Sequence, residues 1–262
     1  HWRDWSSDVC SSDLDLVRYL ADFSAHFQLK ARFRTEVTRV EHDGREFVLT
    51  SACGHAYRAP RLIVATGVRK PFLPTIPGIE LCERYADIPI EPETFAGQRV
   101  LVLGKGNSAF EIAEILTETT SLLHVCSPHP IKMAWATHHV GHVRAINNNL
   151  LDTYQLKLQN AVLDASVLKI ERRGDKFVAT VAYGHAEGEE EELVYDRIIV
   201  CTGFRMDTSI FASSAAPELA INGRFPAQTS AWESTNVPGM YFAGTLMQAL
   251  DFKKTSSSFI HG

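Results

Sequence analysis

At 262 residues and 45% hydrophobic, the chain has room for about two domains with cores of their own. Its 26 basic residues against 31 acidic ones leave a net charge of −5, which argues against a nucleic-acid partner. No window reaches the roughly 18 to 20 apolar residues of a membrane span, and Cys10, Cys53, Cys82, Cys126 and Cys201 stand far apart, with no C-x-x-C pair for zinc or a redox disulfide.

Residues 4–14, DWSSDVCSSDL, show neither strand alternation nor a helical stripe and resemble one translated frame of a common sequencing-library adapter, so residues 1–14 are set aside from the fold. The alternative is a genuine polar leader. From Leu16 the pattern turns helical, with Leu16, Val17, Leu20, Phe23 and Phe27 on one side and Asp15, Arg18 and Asp22 on the other, which predicts a helix to about Phe27. Residues 37–42 and 47–51 read as strands joined across Asp43-Gly44, a dipeptide suited to a hairpin turn. Residues 61–67, RLIVATG, form the next buried strand and end in Thr66-Gly67, after which Pro71, Pro74 and Pro77 fix an extended path suited to a crossing between domains.

The stretch 100–114, VLVLGKGNSAFEIAE, organises the chain. Val100, Leu101, Val102 and Leu103 read as a parallel strand buried on both faces, because such a strand shows a continuous apolar run instead of alternation. Gly104 can take backbone angles closed to other residues, Gly106 lets a phosphate approach the main chain, and Ala109 is small enough for close helix-on-strand packing. A helix is predicted from about Asn107, with Ile112, Ile115 and Leu116 on its apolar face and its free amides and positive dipole end favouring an anion such as a dinucleotide's pyrophosphate. The competing reading is a tight βα turn that binds nothing.

Residues 122–125 should be the second strand of this unit. An NAD site places a carboxylate about 20 residues past the first glycine, on the ribose 2′-hydroxyl. Here Cys126, Ser127, Pro128 and His129 follow, with Lys132 close by and no acid among them, so Ser127 and Lys132 are candidates for a 2′-phosphate and the expected cofactor is NADPH over NADH. His138 and His142 are four apart, yet Gly141 breaks their helix and no carboxylate accompanies them, so no metal site is assigned. Residues 144–157 read as a polar surface excursion lining a cleft. Residues 167–170, 177–183 and 193–195 predict a strand meander, with Glu187 and Glu189 to Glu192 in a solvated loop at its tip. Residues 197–203, RIIVCTG, echo RLIVATG and add Thr202 and Gly203 to the candidates. Residues 237–244, VPGMYFAG, supply another turn, short strand and glycine, followed by Thr245 and by Thr255 to Ser258, good helix-capping residues before Phe259 and Ile260.

In that order, RLIVATG, LGKGNSAFEIAE, RIIVCTG and VPGMYFAG resemble the two-dinucleotide-domain flavoproteins, the flavin-containing monooxygenases and pyridine nucleotide-disulfide oxidoreductases. The runs WATHHVGHVRAINNNLLDTYQLK and SSFIHG are similar to the FAD-dependent oxidoreductase domain-containing proteins of the endoplasmic reticulum and their relatives. The resemblance implies an α/β fold in which a Rossmann-like NAD(P)-binding domain, 95–204, is inserted into an FAD-binding domain, 15–92 and 205–262. It implies that Gly104, Gly106, Asn107, Ser108 and Glu111 form the NADPH loop. Thr66 and Gly67 match the strand end that passes the flavin nucleotide, and Gly244 with Thr245 matches the flavin-side Gly-Asp, with threonine in place of the acid. The family's first FAD fingerprint is absent, so the sequence is expected to be truncated at its N-terminus, and it reads as a fragment at both ends. The monooxygenase fingerprint is not recognisable in residues 78–90, and the missing C-x-x-C speaks against a disulfide reductase working through its own cysteines.

The function so implied is an FAD-dependent NADPH oxidoreductase, in which a hydride passes to the flavin and electrons then pass to an unknown small molecule or redox partner, oxygen included; no side-chain acid or base is nominated. The alternative is a flavoprotein-like module for partner binding in protein quality control. The expected address is cytoplasmic for a bacterial chain and the reticulum lumen for an animal one.

Overall fold

The computed structural model describes residues 13–249 apart from 90, 138–141, 154–156, 158, 187 and 221–222. Helix α1 (Asp13–His26) precedes an antiparallel sheet of β1 (Val37–His42), β2 (Phe47–Ser51) and β3 (Ala56–Ala59). The helix forms where its apolar period predicts, but the stripe faces outward, with Val17 64% and Leu20 55% exposed. The first hairpin turns over four residues, not two: the Asp43 carboxylate accepts hydrogen bonds from the amides of Arg45 and Glu46 at 3.0 and 2.9 Å. Strands β4 (Leu62–Val64) and β5 (Val68–Pro71) then lead to β6 (Glu83–Arg84), β7 (Arg99–Leu103), helix α2 (Asn107–Leu116) and β8 (Leu122–Ser127). Two short helices, α3 (Ala134–Thr137) and α4 (Asn149–Thr153), precede β9 (Ala161–Arg173), β10 (Lys176–Tyr183), β11 (Glu190–Tyr195) and β12 (Arg197–Val200). The described chain ends through β13 (Phe204–Met206), β14 (Leu219–Ala220), β15 (Phe225–Pro226) and β16 (Met240–Phe242).

Seven strands form the main sheet in the order β11, β10, β9, β8, β7, β12, β6. From β6 to the first residues of β9 the pairing is parallel; β9, β10 and β11 continue as an antiparallel meander. Val100 and Val102 pack with Ala109, Phe110, Ala113 and Leu116 of α2, while Leu101 and Leu103 pack with Ala165, Ala179, Val181 and Tyr195 of the meander. Helices therefore cover one face and the meander the other, which is why β7 is apolar at every position from 100 to 103. Each such side chain contributes about 1.5–3 kcal/mol relative to leaving it in water.

A third core joins early and late strands of the described chain. Val40, Phe47 and Val64 pack with Met206, Phe211, Val237, Met240 and Phe242, and β4 pairs in parallel with β16. The main sheet is thus inserted between two halves of another unit. Its packing begins upstream of residue 95, since β6 belongs to it and Leu73, Ile76 and Ile79 lie against its meander face. The two crossings run side by side: β5 pairs antiparallel with β13, the Phe72 amide donates to the Gly203 carbonyl at 2.9 Å, and the Thr202 hydroxyl donates to the Phe72 carbonyl at 2.5 Å.

Three expectations are corrected. The described part of 144–157 is not a surface excursion: a 3-10 turn (Ala145–Asn147) and α4 pack over α2, leaving Leu150 1% and Asn147 8% exposed. Strand β9 starts at Ala161, six residues earlier than the apolar pattern suggested. Glu190 to Glu192 stand in β11 instead of a loop, where Arg173 bridges to Glu192 and the Tyr183 hydroxyl donates to Glu191. Residues 255–260, expected to start a helix, lie outside the described residues.

Candidate functional site

Strand β7 delivers the glycine turn to the carboxyl end of the parallel strands. The Gly104 amide donates to the Cys126 carbonyl at 2.8 Å on one side, and the Cys201 amide donates to the Leu103 carbonyl at 2.7 Å on the other. So wedged, Gly104 has φ 126, and a Cβ there would lie 2.3 Å from the Cys201 carbonyl oxygen, so no side chain fits. Gly106 differs: its φ is −93, and nothing lies within 4 Å of a Cβ built on it. The space ahead of α2 is open.

Gly106 caps α2 without a side-chain hydrogen bond; the Ala109 amide already donates to the Gly106 carbonyl at 3.1 Å, so the amides of Asn107 and Ser108 are the ones without a partner inside the helix, and the dipole's positive end meets that space. Ala109 is fully buried against the sheet. Asn107 is occupied otherwise. Its carboxamide oxygen accepts from the Arg144 amide and the Asn147 side chain, both at 3.0 Å, and its NH2 donates to the His142 carbonyl at 3.0 Å. The side chain anchors the 142–147 segment on the turn; only its main chain is left for an anion. Glu111 accepts a hydrogen bond from the Tyr85 hydroxyl at 2.9 Å. Burial, with the Glu111 charge second, pushes that phenol up to about 12, so Tyr85 remains a donor at neutral pH. Tyr85, Ser108, Cys201, Gly203, Phe204 and Phe72 line one cleft beside the turn.

At the end of β8 the sequence reading is incomplete. Ser127 is half-buried and Lys132 is exposed, but the strand end also holds an acid, supplied by the neighbouring strand: Asp164 of β9 stands in register with Ser127. Lys105, between the two glycines, reaches this place. Its side chain is 4% exposed, and its ammonium donates to the Ser127 carbonyl at 3.1 Å, to the His129 carbonyl at 3.3 Å and to the Asp164 carboxylate. Both residues were missed, although a lone acid inside the apolar run 161–165 and a lysine inside a glycine turn were visible signals.

The candidates on the other unit also converge. The parallel pairing of β4 with β16 brings Gly67 and Thr245 together, so that a Cβ on Gly67 would stand 3.3 Å from the Thr245 hydroxyl. Thr66 is exposed, and Gly244 opens the 3-10 turn Gly244–Ala249. Thr202 and Gly203 are stitched to Phe72, so the Thr202 hydroxyl serves the crossing. Beside them Arg224, also unforeseen, lies 5.1 Å over the Phe72 ring and donates to the Phe204 carbonyl at 3.3 Å; burial lowers its pKa. Of the histidine stretch, 138–141 lie outside the described residues, and His142 hydrogen-bonds the Thr137 hydroxyl at 2.7 Å.

Matched against protein families, residues 7–244 correspond to "Pyridine nucleotide-disulphide oxidoreductase". The chain belongs to this family. Its fold is the FAD/NAD(P)-binding α/β fold, and the class is that of flavoprotein oxidoreductases, as the four sequence motifs implied. Mouse (Mus musculus) FAD-dependent oxidoreductase domain-containing protein 2 is 35% identical over 291 residues, covering 100% of this chain and 44% of its own length. The zebrafish (Danio rerio) protein of that name is 34% identical, covering 95% of this chain and 43% of its own. The chain therefore spans less than half of these relatives. Among solved structures, the flavin-containing monooxygenase from Stenotrophomonas maltophilia shares the fold with a TM-score of 0.67 at 19% identity, over 95% of this chain and 72% of that one.

Proposed function

We propose that the chain is the dinucleotide-handling part of an NADPH-dependent FAD oxidoreductase whose electrons pass from the nicotinamide through the flavin to oxygen or another acceptor. The observation that carries the reading is the glycine turn: Gly104 is locked by the Cys201 carbonyl, while the space before Gly106 is open at a ten-residue helix's amino end. The residues fit the two cofactors the family implies. The main chain of Gly106, Asn107 and Ser108 would hold a pyrophosphate. Gly67, Gly244 and Thr245 would pass the flavin nucleotide at the paired ends of β4 and β16. Tyr85, whose one hydroxyl proton is held by Glu111, walls the cleft beside the turn.

When bound, FAD supplies the hydride acceptor. The chain's own contribution is placement: the β5/β13 ribbon, tied through Phe72, Thr202 and Gly203, sets the relation of the two units. No side chain is given an acid or base role. Ser127, His129 and Lys132 at the end of β8 support NADPH, because a hydroxyl donor and positive charge suit a 2′-phosphate. The test is anaerobic addition of NADPH to the full-length protein supplied with FAD, because this chain, without the first FAD fingerprint, is expected to hold flavin poorly and to be inactive on its own. Flavin absorbance should bleach, and more slowly with NADH. A protein that takes up neither flavin nor nicotinamide dinucleotide overturns the reading and leaves the partner-binding module.

A further inference from the structure

We propose that Asp164 and Lys105 together decide how the adenosine ribose is read, Asp164 by opposing a 2′-phosphate and Lys105 by receiving it when it comes. The inference rests on the nicotinamide reading above and concerns the same site. In a Rossmann unit the ribose lies at the end of the second parallel strand, and the acid that holds its 2′-hydroxyl ordinarily comes from that strand. Here that strand is β8, and its own end carries Ser127, Pro128 and His129. The acid comes instead from β9, where Asp164 pairs with Ser127 in the register. The glycine turn that should face the pyrophosphate sends Lys105 to the same spot.

The hydrogen bonds define what each group can do. An ammonium has three protons, and those of Lys105 have three acceptors: the carbonyls of Ser127 and His129, and Asp164. Lys105 is thus saturated and its side chain buried at 4% exposure, whereas the Asp164 side chain is 55% exposed. Of the three acceptors the carboxylate alone can turn into water, because the other two are main-chain carbonyls, one at the end of β8 and one in the loop that follows it. A 2′-phosphate, with its greater negative charge, would displace Asp164 from the ammonium and keep the two carbonyl contacts intact. A 2′-hydroxyl would leave the pair in place and donate to the carboxylate. One pair thus admits both nucleotides, and Asp164 restrains the preference that Ser127, His129 and Lys132 create.

The test is titration of the full chain with NADP+ and NAD+ separately, following intrinsic fluorescence, at low and high salt. In Asp164→Asn the affinity for NADP+ should rise about tenfold, equivalent to about 1.4 kcal/mol, and that for NAD+ should stay level or fall. In Lys105→Met the affinity for NADP+ should fall at least tenfold and that for NAD+ change far less. The buried Lys105 also holds two carbonyls, so if its variant fails to fold, Asp164→Asn, on an exposed carboxylate, decides alone. Salt should weaken NADP+ binding more than NAD+ binding in wild type and in Asp164→Asn. An Asp164→Asn protein with both affinities unchanged, or both reduced equally, overturns the inference. A wild-type chain that binds NADP+, responds to Lys132→Ala and ignores Asp164→Asn leaves the NADPH reading standing and removes this one. A wild-type chain that binds neither nucleotide overturns both.

Discussion

Gly104 and Gly106 stand two residues apart in one turn, yet their surroundings are opposite, and substitution at each position separates the tasks proposed for them. At Gly104 the new Cβ meets the Cys201 carbonyl oxygen at 2.3 Å and its carbon at 2.9 Å. Both are main-chain atoms held by the Cys201 amide's 2.7 Å bond to Leu103, so the neighbour cannot yield as a flexible side chain would. A φ of 126 adds about 1–3 kcal/mol of backbone strain. Overpacking adds about 1–3 kcal/mol more. Gly104→Ala should therefore cost about 2–6 kcal/mol, a large share of the roughly 5–15 kcal/mol that holds a domain folded. At Gly106 the φ of −93 suits any residue and the Cβ meets nothing within 4 Å, so Gly106→Ala should stay within about 0.5 kcal/mol of wild type. Its methyl group, and more so the branches of Gly106→Val, would occupy the space a pyrophosphate needs. Urea unfolding followed by tryptophan fluorescence reads the first effect, and NADP+ and NAD+ titration the second. Gly104→Ala should lose stability, while Gly106→Val should lose both nucleotides with its unfolding midpoint unmoved. Equal midpoints for Gly104→Ala and wild type, or a Gly106→Val protein that binds both nucleotides normally, would refute the assignment of tasks.

Asn107→Ala removes three hydrogen bonds to the 142–147 segment, worth about 1 kcal/mol each; a loss of about 2–3 kcal/mol and faster proteolytic cleavage near residue 145 are expected, and unchanged cleavage would show that the segment is held elsewhere. Leu150→Ala, at a site 1% exposed between α2 and α4, should cost about 2–5 kcal/mol in urea unfolding; a loss under about 0.5 kcal/mol would return residues 144–157 to the surface role the sequence suggested. Among the described cysteines, Cys53 should react first with iodoacetamide. Hydrogen bonds from Ser51 and then His55 bring its thiol down to about 7, whereas burial pushes Cys82 and Cys201 up to about 12 and Cys126 to about 11. The thiolate is the nucleophile, so alkylation at Cys53, located by mass spectrometry, should rise with pH through about 7 and level off above it, and His55→Ala should move that midpoint upward; a Cys53 midpoint near 9 in wild type would contradict the contacts at 3.1 and 3.2 Å.

The glycine turn was legible because its physics is local. A four-residue apolar run, two glycines and an amphipathic helix each constrain their own backbone, and β7, Gly104 and α2 lie where those patterns put them. Order along the chain carried the family, since the two Thr-Gly strand ends and the closing glycine flank the turn in a fixed sequence that an inserted domain requires. What escaped was whatever depends on pairing across the fold. Leu150 is buried because Asn107 draws in the strip beyond His142, and nothing in the polar run 144–157 announces that Asn107 is its anchor. The start of β9 was missed because residues 161–164 are held by parallel pairing with β8, and only from residue 165 does the strand pair antiparallel with β10. With that start went Asp164, and with Asp164 the meaning of Lys105. The end of β8 itself carries no acid; the register places Asp164 on the next strand, at the same height as Ser127. On the proposal above, cofactor preference is a property of strand pairing as much as of motif, and it is read by asking which charges share the end of a sheet.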